Sequence, residues 1–441
     1  MDSKWKGLIP KPLCIAPWKA LSIDSFGNVA PDGIFRDPYF GNLNTSSLSE
    51  MWDGEVWSNL RKDHINFSDN IGCSNCVKKE QFAGHSRRKF FETFFTTRIP
   101  QDTLEEKYYY PDTRGDPNLN NPIRRPKVEN FDKPDFIYLD INTSNKCNLK
   151  CIHCNGDVST AWIPDEKKLK KKHSEVFRNE QNPYGYYSID DAVIENLFSN
   201  KDYFKNLQFV AFRGGEPFYE DKNIKILEKL IEFGWNDRIT LDISTNATII
   251  NPEFFELLTK FKKIVLYLSI EGIGELYQLC RGGLHYDQDH LDKMIQYFIS
   301  FDNIELCIAY TTMAPNIFNI AQTWNWFQQY KDTATITFSN TVVTPKYLSL
   351  EVLTKEMKQT AYDMIKDIDD EMPYPYDGST YTYSAGIYKF RKTLLKTIKE
   401  GDSENQPYLF NMFKNYMNAL DKIRKTDFLK IVPNYRKYWN E

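Results

Sequence analysis

Residues 145–156, NKCNLKCIHCNG, place three cysteines within one short stretch: Cys147, Cys151 and Cys154. Thiolates from one short loop can converge on a soft metal centre, and iron–sulfur clusters are held by such cysteines. Three thiolates cannot close a tetrahedral zinc site, so the alternative, a structural zinc loop, requires a distant fourth ligand. On a four-iron cluster the same three thiolates leave one iron open to an added ligand. The stretch therefore predicts a metal site with one coordination position not filled by its own cysteines.

The composition indicates a globular protein without a basic surface. The chain has 441 residues, of which 41% are hydrophobic and 26% charged, as in proteins that bury a sizeable core. Its 56 basic and 60 acidic side chains give a net charge of −4, which argues against a nucleic-acid partner. The first residues have no signal-peptide pattern, and no apolar run reaches the length of a membrane span. We therefore expect a cytoplasmic protein with no membrane partner.

The other cysteines form a second group and two isolated residues. Cys14, Cys73 and Cys76 lie in the first quarter of the chain, whereas Cys280 and Cys307 stand alone. Without an export signal, closely spaced cysteines indicate metal binding or catalysis before disulfides. The isolated cysteines are expected to be buried structural thiols, since a free cysteine packs as a small hydrophobic side chain.

From residue 134 onward, short apolar runs alternate with amphipathic, helix-like segments. The apolar runs begin near residues 136, 207, 239, 264, 304 and 335. Strands that alternate with helices predict a parallel sheet with crossover helices, either open or closed into a barrel. All strand C-terminal ends, and hence the site loops, lie on one face of such a sheet. The cysteine loop follows the first of these strands, where an α/β domain keeps its chemistry.

The N-terminal part contains short elements with turn signals. Residues 22–33 predict a hairpin with Gly27 and Asn28 in the bend, and residues 47–63 predict one helix with Ser47 or Ser49 near its N-cap.

Four segments follow from these patterns. Residues 96–133 are rich in proline, asparagine and aspartate without periodicity, which indicates a linker. The sequence thus predicts an N-terminal domain (1–95), this linker, an α/β domain (134–345) and a helical C-terminal extension (346–441).

The segment from Cys147 to Cys154, preceded by a strand, resembles the signature of the radical S-adenosylmethionine (radical SAM) superfamily. The resemblance implies a partial (β/α)6 TIM-like barrel and a [4Fe–4S] cluster whose open iron chelates the amino and carboxylate groups of SAM. It also implies that the reduced cluster cleaves SAM to methionine and a 5′-deoxyadenosyl radical, which abstracts a substrate hydrogen. His153 stands where the superfamily usually has an aromatic residue, so a flat ring at the cofactor site is retained.

Polar motifs after the next strands resemble the SAM-binding segments of that superfamily. They are, in chain order, Gly214, Gly215, Glu216 and Pro217; Ser244 and Asn246; Ser269 and Glu271; and Arg281. The resemblance implies that the first group binds the SAM amino group, the next two lie at its ribose, and the arginine binds its carboxylate. Each residue alone is also an ordinary polar strand end, but the order of the motifs favours the SAM site.

Cys14, Cys73 and Cys76 lie in segments that resemble the SPASM module, or its shortened form, twitch, which carries an auxiliary cluster. In most relatives that module follows the barrel, whereas here it comes first. Relatives tend to carry a cysteine where this chain has Asp32. The resemblance implies a second [4Fe–4S] cluster whose fourth ligand is Asp32 or an open position for solvent or substrate. The alternatives are a zinc site, a degenerate empty site or cysteines that are merely buried.

The resemblance implies an oxidoreductase-like enzyme that works with a flavodoxin- or ferredoxin-type electron donor. The favoured substrate is a peptide or protein that undergoes oxidative or cross-linking modification, although no leader-binding domain is recognisable. The alternative is a dehydrogenase or epimerase acting on a sugar, an aminocyclitol or a nucleotide, in which Cys307 is a candidate hydrogen donor. From another class, a non-catalytic iron–sulfur scaffold remains an alternative, but a scaffold has no need for the SAM motifs.

Overall fold

The computed structural model describes residues 14–33, 35, 39–65, 71–74, 76, 86–88, 90–91, 109–110, 125–126, 133–174, 185–282, 287–369 and 387–439. The strands in these ranges are β1 (Ala20–Ile23), β2 (Val29–Ala30), β3 (Tyr109–Tyr110), β4 (Arg125–Pro126), β5 (Tyr138–Asn142), β6 (Phe209–Arg213), β7 (Thr240–Thr245), β8 (Lys263–Ser269), β9 (Ile304–Thr312) and β10 (Ala334–Thr341).

The α-helices in the same ranges are α1 (Ala16–Lys19), α2 (Leu48–Asp53), α3 (Glu55–Ile65), α4 (Ile163–Lys172), α5 (Asp191–Leu197), α6 (Asp221–Glu232), α7 (Pro252–Leu258), α8 (Glu275–Arg281), α9 (Gln288–Ile299), α10 (Ile320–Phe327), α11 (Lys355–Asp363), α12 (Ile387–Glu400), α13 (Gln406–Arg424), α14 (Phe428–Ile431) and α15 (Arg436–Trp439). None of these described helices has the length and apolar character that crossing a membrane requires.

The chain folds into two compact units. The first comprises residues 1–143 and 189–211, and the second comprises residues 144–188 and 212–441. The predicted linker, residues 96–133, lies outside the described residues apart from residue 133 and the strands β3 and β4, which pair antiparallel. The domain boundaries taken from the sequence therefore stay predictions.

In the first unit, β1 and β2 form the predicted hairpin. They pair antiparallel, with Ser22 opposite Ala30. Gly27 in the bend has a φ of 80°, a left-handed conformation that glycine adopts without a steric penalty. β1 also pairs in parallel with β5, with Leu21 opposite Leu139. The hairpin is thereby attached to the strand that precedes the cysteine loop in the chain.

The single helix predicted over residues 47–63 is wrong in its extent, because the segment forms two helices. Ser47 is the N-cap of α2: its hydroxyl accepts from the Glu50 backbone N–H, and the Glu50 carboxylate accepts from the Ser47 N–H. This capping box confirms the first of the two predicted N-caps. α2 ends at Gly54, whose extended backbone (φ −63°, ψ 155°) separates it from α3.

In the second unit, β7, β8, β9 and β10 lie side by side as parallel strands in that order. Parallel neighbours need crossover connections, and α7, α8, α9 and α10 supply them along the chain. Leu266 on β8 lies opposite Ile243 on β7 and Leu306 on β9, and all of these side chains are buried. The sheet that contains these four strands is open, so the predicted α/β fold with a partial barrel is confirmed.

The C-terminal helices pack around an aromatic cluster of Phe413, Phe428, Tyr435 and Trp439. The ring centroids of Phe413 and Trp439 are 5.6 Å apart, and those of Phe428 and Tyr435 are 5.2 Å apart. The Tyr435 hydroxyl donates to the carbonyl oxygen of Ala314 at 2.6 Å, just after β9. The described residues beyond β10 confirm the predicted helical extension, which is packed against the α/β part of the second unit.

We expect Leu266→Ala to lower the free energy of unfolding by about 3 kcal/mol, because it removes apolar contacts at a fully buried site and leaves a cavity. The measurement is the urea midpoint of the anaerobically purified protein, followed by circular dichroism. Val343→Ala is the control, since that side chain is 45% exposed, and it should change stability by less than about 0.5 kcal/mol. Equal shifts in the two variants would contradict a core position for Leu266.

Candidate functional site

The cysteine loop, residues 147–154, follows β5 in the chain and contains no described helix or strand. Cys151 is buried, and Cys147 and Cys154 are half-buried. All eight cysteines of the chain lie among the described residues, and none of them forms a disulfide. The Cys154 backbone N–H donates to the carbonyl oxygen of Cys151 at 2.9 Å, in a turn that brings these thiols together. The loop therefore offers three free thiols.

Side chains from outside the loop hold its carbonyl oxygens. The donors are Thr160 Oγ1 to Cys147 (3.1 Å), Ser159 Oγ to Leu149 (2.5 Å), an Arg424 terminal nitrogen to Lys150 (2.8 Å), Trp162 Nε1 to Cys151 (2.6 Å) and the Tyr416 hydroxyl to Ile152 (2.6 Å). An irregular, buried segment cannot satisfy its own backbone groups, so these bonds replace the pairing that a helix or strand provides. We call the donor side chains Ser159, Thr160, Trp162, Tyr416 and Arg424 the carbonyl clamp.

The contribution of α13 to the cysteine loop could not be predicted from the sequence. Tyr416 and its acceptor are 264 residues apart in the chain, and Arg424 and its acceptor are 274 residues apart. Arg424 is also ion-paired with Asp165 at 2.9 Å and lies over the Trp162 ring at 4.5 Å. Contacts over such separations leave no local pattern, so no sequence signal marked these residues. The C-terminal extension is therefore part of the site.

The surroundings of Cys147 and Cys151 favour the neutral thiol by raising the pKa of each. Burial raises the pKa of Cys147 to about 12, and the charges of Cys151 and Glu216 act in the same direction. The pKa of Cys151 is raised first by its hydrogen bond with Cys154 and then by burial. Such thiols give up their protons only to a strongly bound cation, so metal binding must release protons here.

The donor chemistry of the loop fits an iron–sulfur cluster. Among the described residues, no three His, Cys, Asp or Glu side chains are placed to hold a single metal ion. A [4Fe–4S] cluster is larger than one ion and takes its thiolates on different irons. Cys147, Cys151 and Cys154 are free thiols on one loop, and the charges of neighbouring members interact. These are the soft ligands that such a cluster requires.

The turn Gly214–Pro217 lies directly against the start of the cysteine loop. Gly214 has a φ of 112°, a conformation that side chains rarely adopt. A Cβ atom on Gly215 would overlap the carbonyl group of Lys146. The Glu216 backbone N–H donates to that same carbonyl oxygen at 2.8 Å. Both glycines are therefore needed for the close approach of two backbone segments, one of which leads into the cysteines.

The Glu216 carboxylate is buried and bonded to the protein. It accepts from Thr245 Oγ1 at 2.6 Å and from the backbone N–H groups of Asn246 at 2.7 Å and Phe218 at 3.3 Å. Burial raises the pKa of Glu216, and these hydrogen bonds oppose the shift. Glu216, predicted at the SAM amino group, thus also fixes its turn to the end of β7. A carboxylate has further acceptor capacity for a ligand.

Ser244 and Asn246, predicted together at the SAM ribose, have different surroundings at the end of β7. The Asn246 side-chain nitrogen lies 3.8 Å from Cys147 Sγ and donates to Asn148 Oδ1 at 2.9 Å. Ser244 Oγ accepts from Arg213 at 3.1 Å. Asn246 therefore adjoins a loop thiol, whereas Ser244 lies beside a cationic side chain of β6.

Glu271 and Arg281 form a buried ion pair, with Arg281 Nη1 3.1 Å from Glu271 Oε2. Glu271 follows Ser269, the half-buried last residue of β8, and Arg281 ends α8. Burial by itself lowers the pKa of Arg281, but the charges of Cys151 and Glu271 outweigh it and raise that pKa. The structure thus brings two predicted SAM contacts together, with Arg281 near the thiols of the cysteine loop.

Buried polar atoms at this site fit the functional groups of SAM. Glu271 Oε1, Arg281 Nε and His153 Nδ1 have no hydrogen-bond partner among the described residues. A buried polar atom left unpaired costs about 1–3 kcal/mol, so such atoms are expected to bind something. A carboxylate can accept from hydroxyl groups, a guanidinium nitrogen can donate to a carboxylate, and an imidazole nitrogen can pair with an adenine edge.

The first unit contains the second predicted cysteine group. Desolvation by the surrounding protein raises the pKa of Cys14, and the charges of Cys76, Cys73 and Asp32 act in the same direction. Cys14 is therefore close enough to Cys73, Cys76 and Asp32 for their charges to act on it, although the other two cysteines are remote from it in the chain. The grouping of three thiols and a carboxylate is the one the sequence analysis expected for an auxiliary cluster, and its thiols are free.

Asp32 and Cys73 each have a partner that the sequence analysis missed. Both carboxylate oxygens of Asp32 accept from Arg87 Nε, at 3.1 and 3.3 Å. His64 Nε2 lies 3.6 Å from Cys73 Sγ. The role of Asp32 as a cluster ligand stays a prediction, and a ligand role requires that its carboxylate share itself with Arg87.

Comparisons with known proteins agree with this geometry. The model of the radical SAM superfamily matches residues 141–304, and the model of the SPASM iron–sulfur cluster-binding domain matches residues 14–77. The protein MJ0907 of Methanocaldococcus jannaschii is 26% identical over 186 residues, which are 41% of this chain and 53% of that protein.

Solved structures of lower similarity were also found. A structure of anSMEcpe with bound AdoMet is 21% identical, covers 52% of this chain and 59% of its own, and has a TM-score of 0.38. Streptococcus suis SuiB bound to its precursor peptide SuiA is 15% identical, covers 81% of this chain and 70% of its own, and has a TM-score of 0.33. Similarity at this level carries no conclusion about activity.

The fold and the cysteine loop define an iron–sulfur protein of the α/β partial-barrel class. Residues 141–304, which include the cysteine loop and the following strands, match the radical SAM superfamily and form a radical SAM domain. Residues 14–77 match the SPASM iron–sulfur cluster-binding domain, which therefore precedes the radical SAM domain in this chain.

Tyr416→Phe tests the carbonyl clamp. Loss of the hydroxyl leaves the Ile152 carbonyl oxygen without this donor, which costs about 1–3 kcal/mol of loop stability. We expect the reconstituted loop cluster to release iron to a chelator faster than in the parent protein. The measurement uses a Cys14→Ala, Cys73→Ala, Cys76→Ala background, which isolates the loop cluster.

Tyr408→Phe is the matched control, because Tyr408 lies on the same helix, α13, and is 64% exposed. Its iron-release rate should equal that of the parent. If Tyr416→Phe released iron no faster than this control, the hydroxyl would have no role in holding the loop.

Proposed function

We propose that this chain is a radical SAM enzyme that binds a [4Fe–4S] cluster through Cys147, Cys151 and Cys154, and SAM beside it. The proposed reaction begins with reductive cleavage of SAM and continues with abstraction of a hydrogen atom from a substrate. The observation that carries the proposal is the buried Glu271–Arg281 pair, in which each partner keeps an unpaired polar atom and Arg281 interacts with the loop thiols. A scaffold would have no use for incomplete buried polar groups.

When bound, the reduced cluster and SAM supply a 5′-deoxyadenosyl radical, and the protein supplies binding, orientation and exclusion of water. Arg281 Nε is placed to donate to a carboxylate, and Glu271 Oε1 is placed to accept from a hydroxyl. Glu216 holds its turn against the end of β7, which keeps Asn246 beside Cys147. The carbonyl clamp keeps the loop backbone in one conformation while its thiolates bind iron.

We further propose that Cys14, Cys73 and Cys76 hold an auxiliary [4Fe–4S] cluster, with Asp32 as the candidate fourth ligand. Their interacting charges and the SPASM match support this proposal. The proposed substrate is a peptide or protein that undergoes oxidative or cross-linking modification, and the proposed electron donor is a flavodoxin or ferredoxin. Dehydrogenation or epimerisation of a sugar, aminocyclitol or nucleotide is the alternative reaction.

Cys151→Ala tests the catalytic proposal. With SAM and dithionite under anaerobic conditions, the unmodified protein should produce 5′-deoxyadenosine, and Cys151→Ala should abolish it because the loop cluster loses a ligand. Chromatography with mass detection measures the product. Cys307→Ala is the matched control, since it also truncates a buried cysteine but one outside both predicted cluster sites. It should retain SAM cleavage.

The iron content separates the two clusters. Anaerobic reconstitution should give about eight irons per chain if both [4Fe–4S] clusters form, whereas about four would remove the auxiliary cluster from the proposal. If the unmodified protein, fully loaded with iron, formed no 5′-deoxyadenosine under reducing conditions, the scaffold alternative would replace the enzyme.

The substrate class is tested with the products of neighbouring genes. A small precursor peptide encoded beside this gene should lose hydrogen, seen as a lower mass, when incubated with the enzyme, SAM and dithionite. The same incubation with Cys151→Ala should leave its mass unchanged. An unchanged peptide, together with turnover of a sugar or nucleotide made by neighbouring enzymes, would support the alternative reaction.

A further inference from the structure

We propose that His64 donates a hydrogen bond through Nε2–H to the sulfur of Cys73 and thereby raises the reduction potential of the auxiliary cluster. The inference rests on the auxiliary cluster of the proposed function and deepens it. His64 belongs to none of the cysteine motifs. It is a positioning residue, since it acts on a cluster ligand and not on the substrate.

The geometry requires the histidine to be the donor. His64 Nε2 lies 3.6 Å from Cys73 Sγ, a distance within the range of an N–H···S hydrogen bond. A thiolate bound to iron carries no hydrogen, so it can only accept. The nitrogen that faces it must therefore carry the hydrogen, and the sulfur selects the tautomer of the ring.

The packing of α3 fixes the position of this ring. Trp57, Leu60 and His64 follow one another at helical spacing, so they share one face of the helix. Trp57 Nε1 donates to the carbonyl oxygen of Pro17 at 2.7 Å, which ties this face to the segment after Cys14. The Trp18 ring meets the His64 ring edge-on, with centroids 6.3 Å apart. The His64 imidazole thus follows two buried apolar side chains on the same helix face and is half-buried where that face meets Cys73.

Charged side chains around the auxiliary site also affect the reduction potential of the proposed cluster. The negative charge of Asp32 acts on Cys14, and Arg87 fixes the Asp32 carboxylate in place. Arg87 is itself held by the Tyr138 hydroxyl at 3.2 Å and by the Phe90 ring at 4.4 Å. A neighbouring carboxylate disfavours an added electron, whereas an N–H group aimed at a cluster sulfur favours it. Because the ion pair with Arg87 offsets much of the Asp32 charge, the N–H group of His64 is expected to shift the potential of the cluster upward.

The test uses the full chain with Cys147→Ala, Cys151→Ala and Cys154→Ala, in which only the auxiliary cluster can form. Iron and sulfide per chain and the midpoint potential from an EPR-monitored redox titration are measured for this background, for His64→Leu and for His64→Gln. Leucine removes the N–H group, whereas glutamine keeps an N–H donor near the same position. His173→Leu is the matched control, because it replaces a histidine at the end of α4, outside both cysteine groups.

We expect His64→Leu to move the midpoint to a more negative potential at unchanged iron content, and His64→Gln and His173→Leu to leave it near the background value. An unmoved midpoint in His64→Leu with iron retained would overturn the role of His64 alone. Loss of iron in both His64 variants would make His64 a ligand instead of a donor and overturn the proposal. A background protein that assembles no cluster would overturn the auxiliary cluster and this inference together, while leaving SAM cleavage by the unmodified chain as a separate question.

Discussion

The cysteine loop must keep one conformation although it contains no helix or strand, and hydrogen bonds from the carbonyl clamp make this possible. Each bond satisfies a backbone oxygen that the fold has removed from water. The donors come from residues 159–162 and from α13, so the site is complete only when the C-terminal helices are in place. The helical extension is for this reason a structural part of the cluster site, and its aromatic core determines where Tyr416 and Arg424 lie.

Buried charge is the second constraint on the site. Arg281, Glu271 and Glu216 are all removed from solvent, which is costly unless each finds compensating partners. Glu216 has its partners in the protein, whereas Glu271 and Arg281 satisfy each other only in part. A ligand with both a carboxylate and hydroxyl groups would complete the set. These unpaired atoms suit a polar, charged small molecule, as in the SAM site proposed above.

Features were predictable from the sequence when the residues that form them lie close together in the chain. The cysteine spacing, the glycine turn before Glu216 and the alternation of strands and helices are local, and they located most of the second unit. The break between α2 and α3 at Gly54 is also local, but it was not predicted because the residues on both sides of the glycine have a helical pattern. The carbonyl clamp, the Arg87–Asp32 pair and the contact of His64 with Cys73 join segments remote in the chain. Such contacts depend on tertiary packing, and a single sequence carries no period or spacing that reveals them.

The parallel pairing of β1 with β5 has a consequence for how the protein is made. β1 leaves the ribosome long before β5, and a parallel pair of this kind forms only after the whole intervening chain has been synthesised. Until then β1 is paired only with β2, and its other edge, which receives β5, stays open. The N-terminal hairpin therefore reaches its final pairing only after the strand that leads into the cysteine loop has been made.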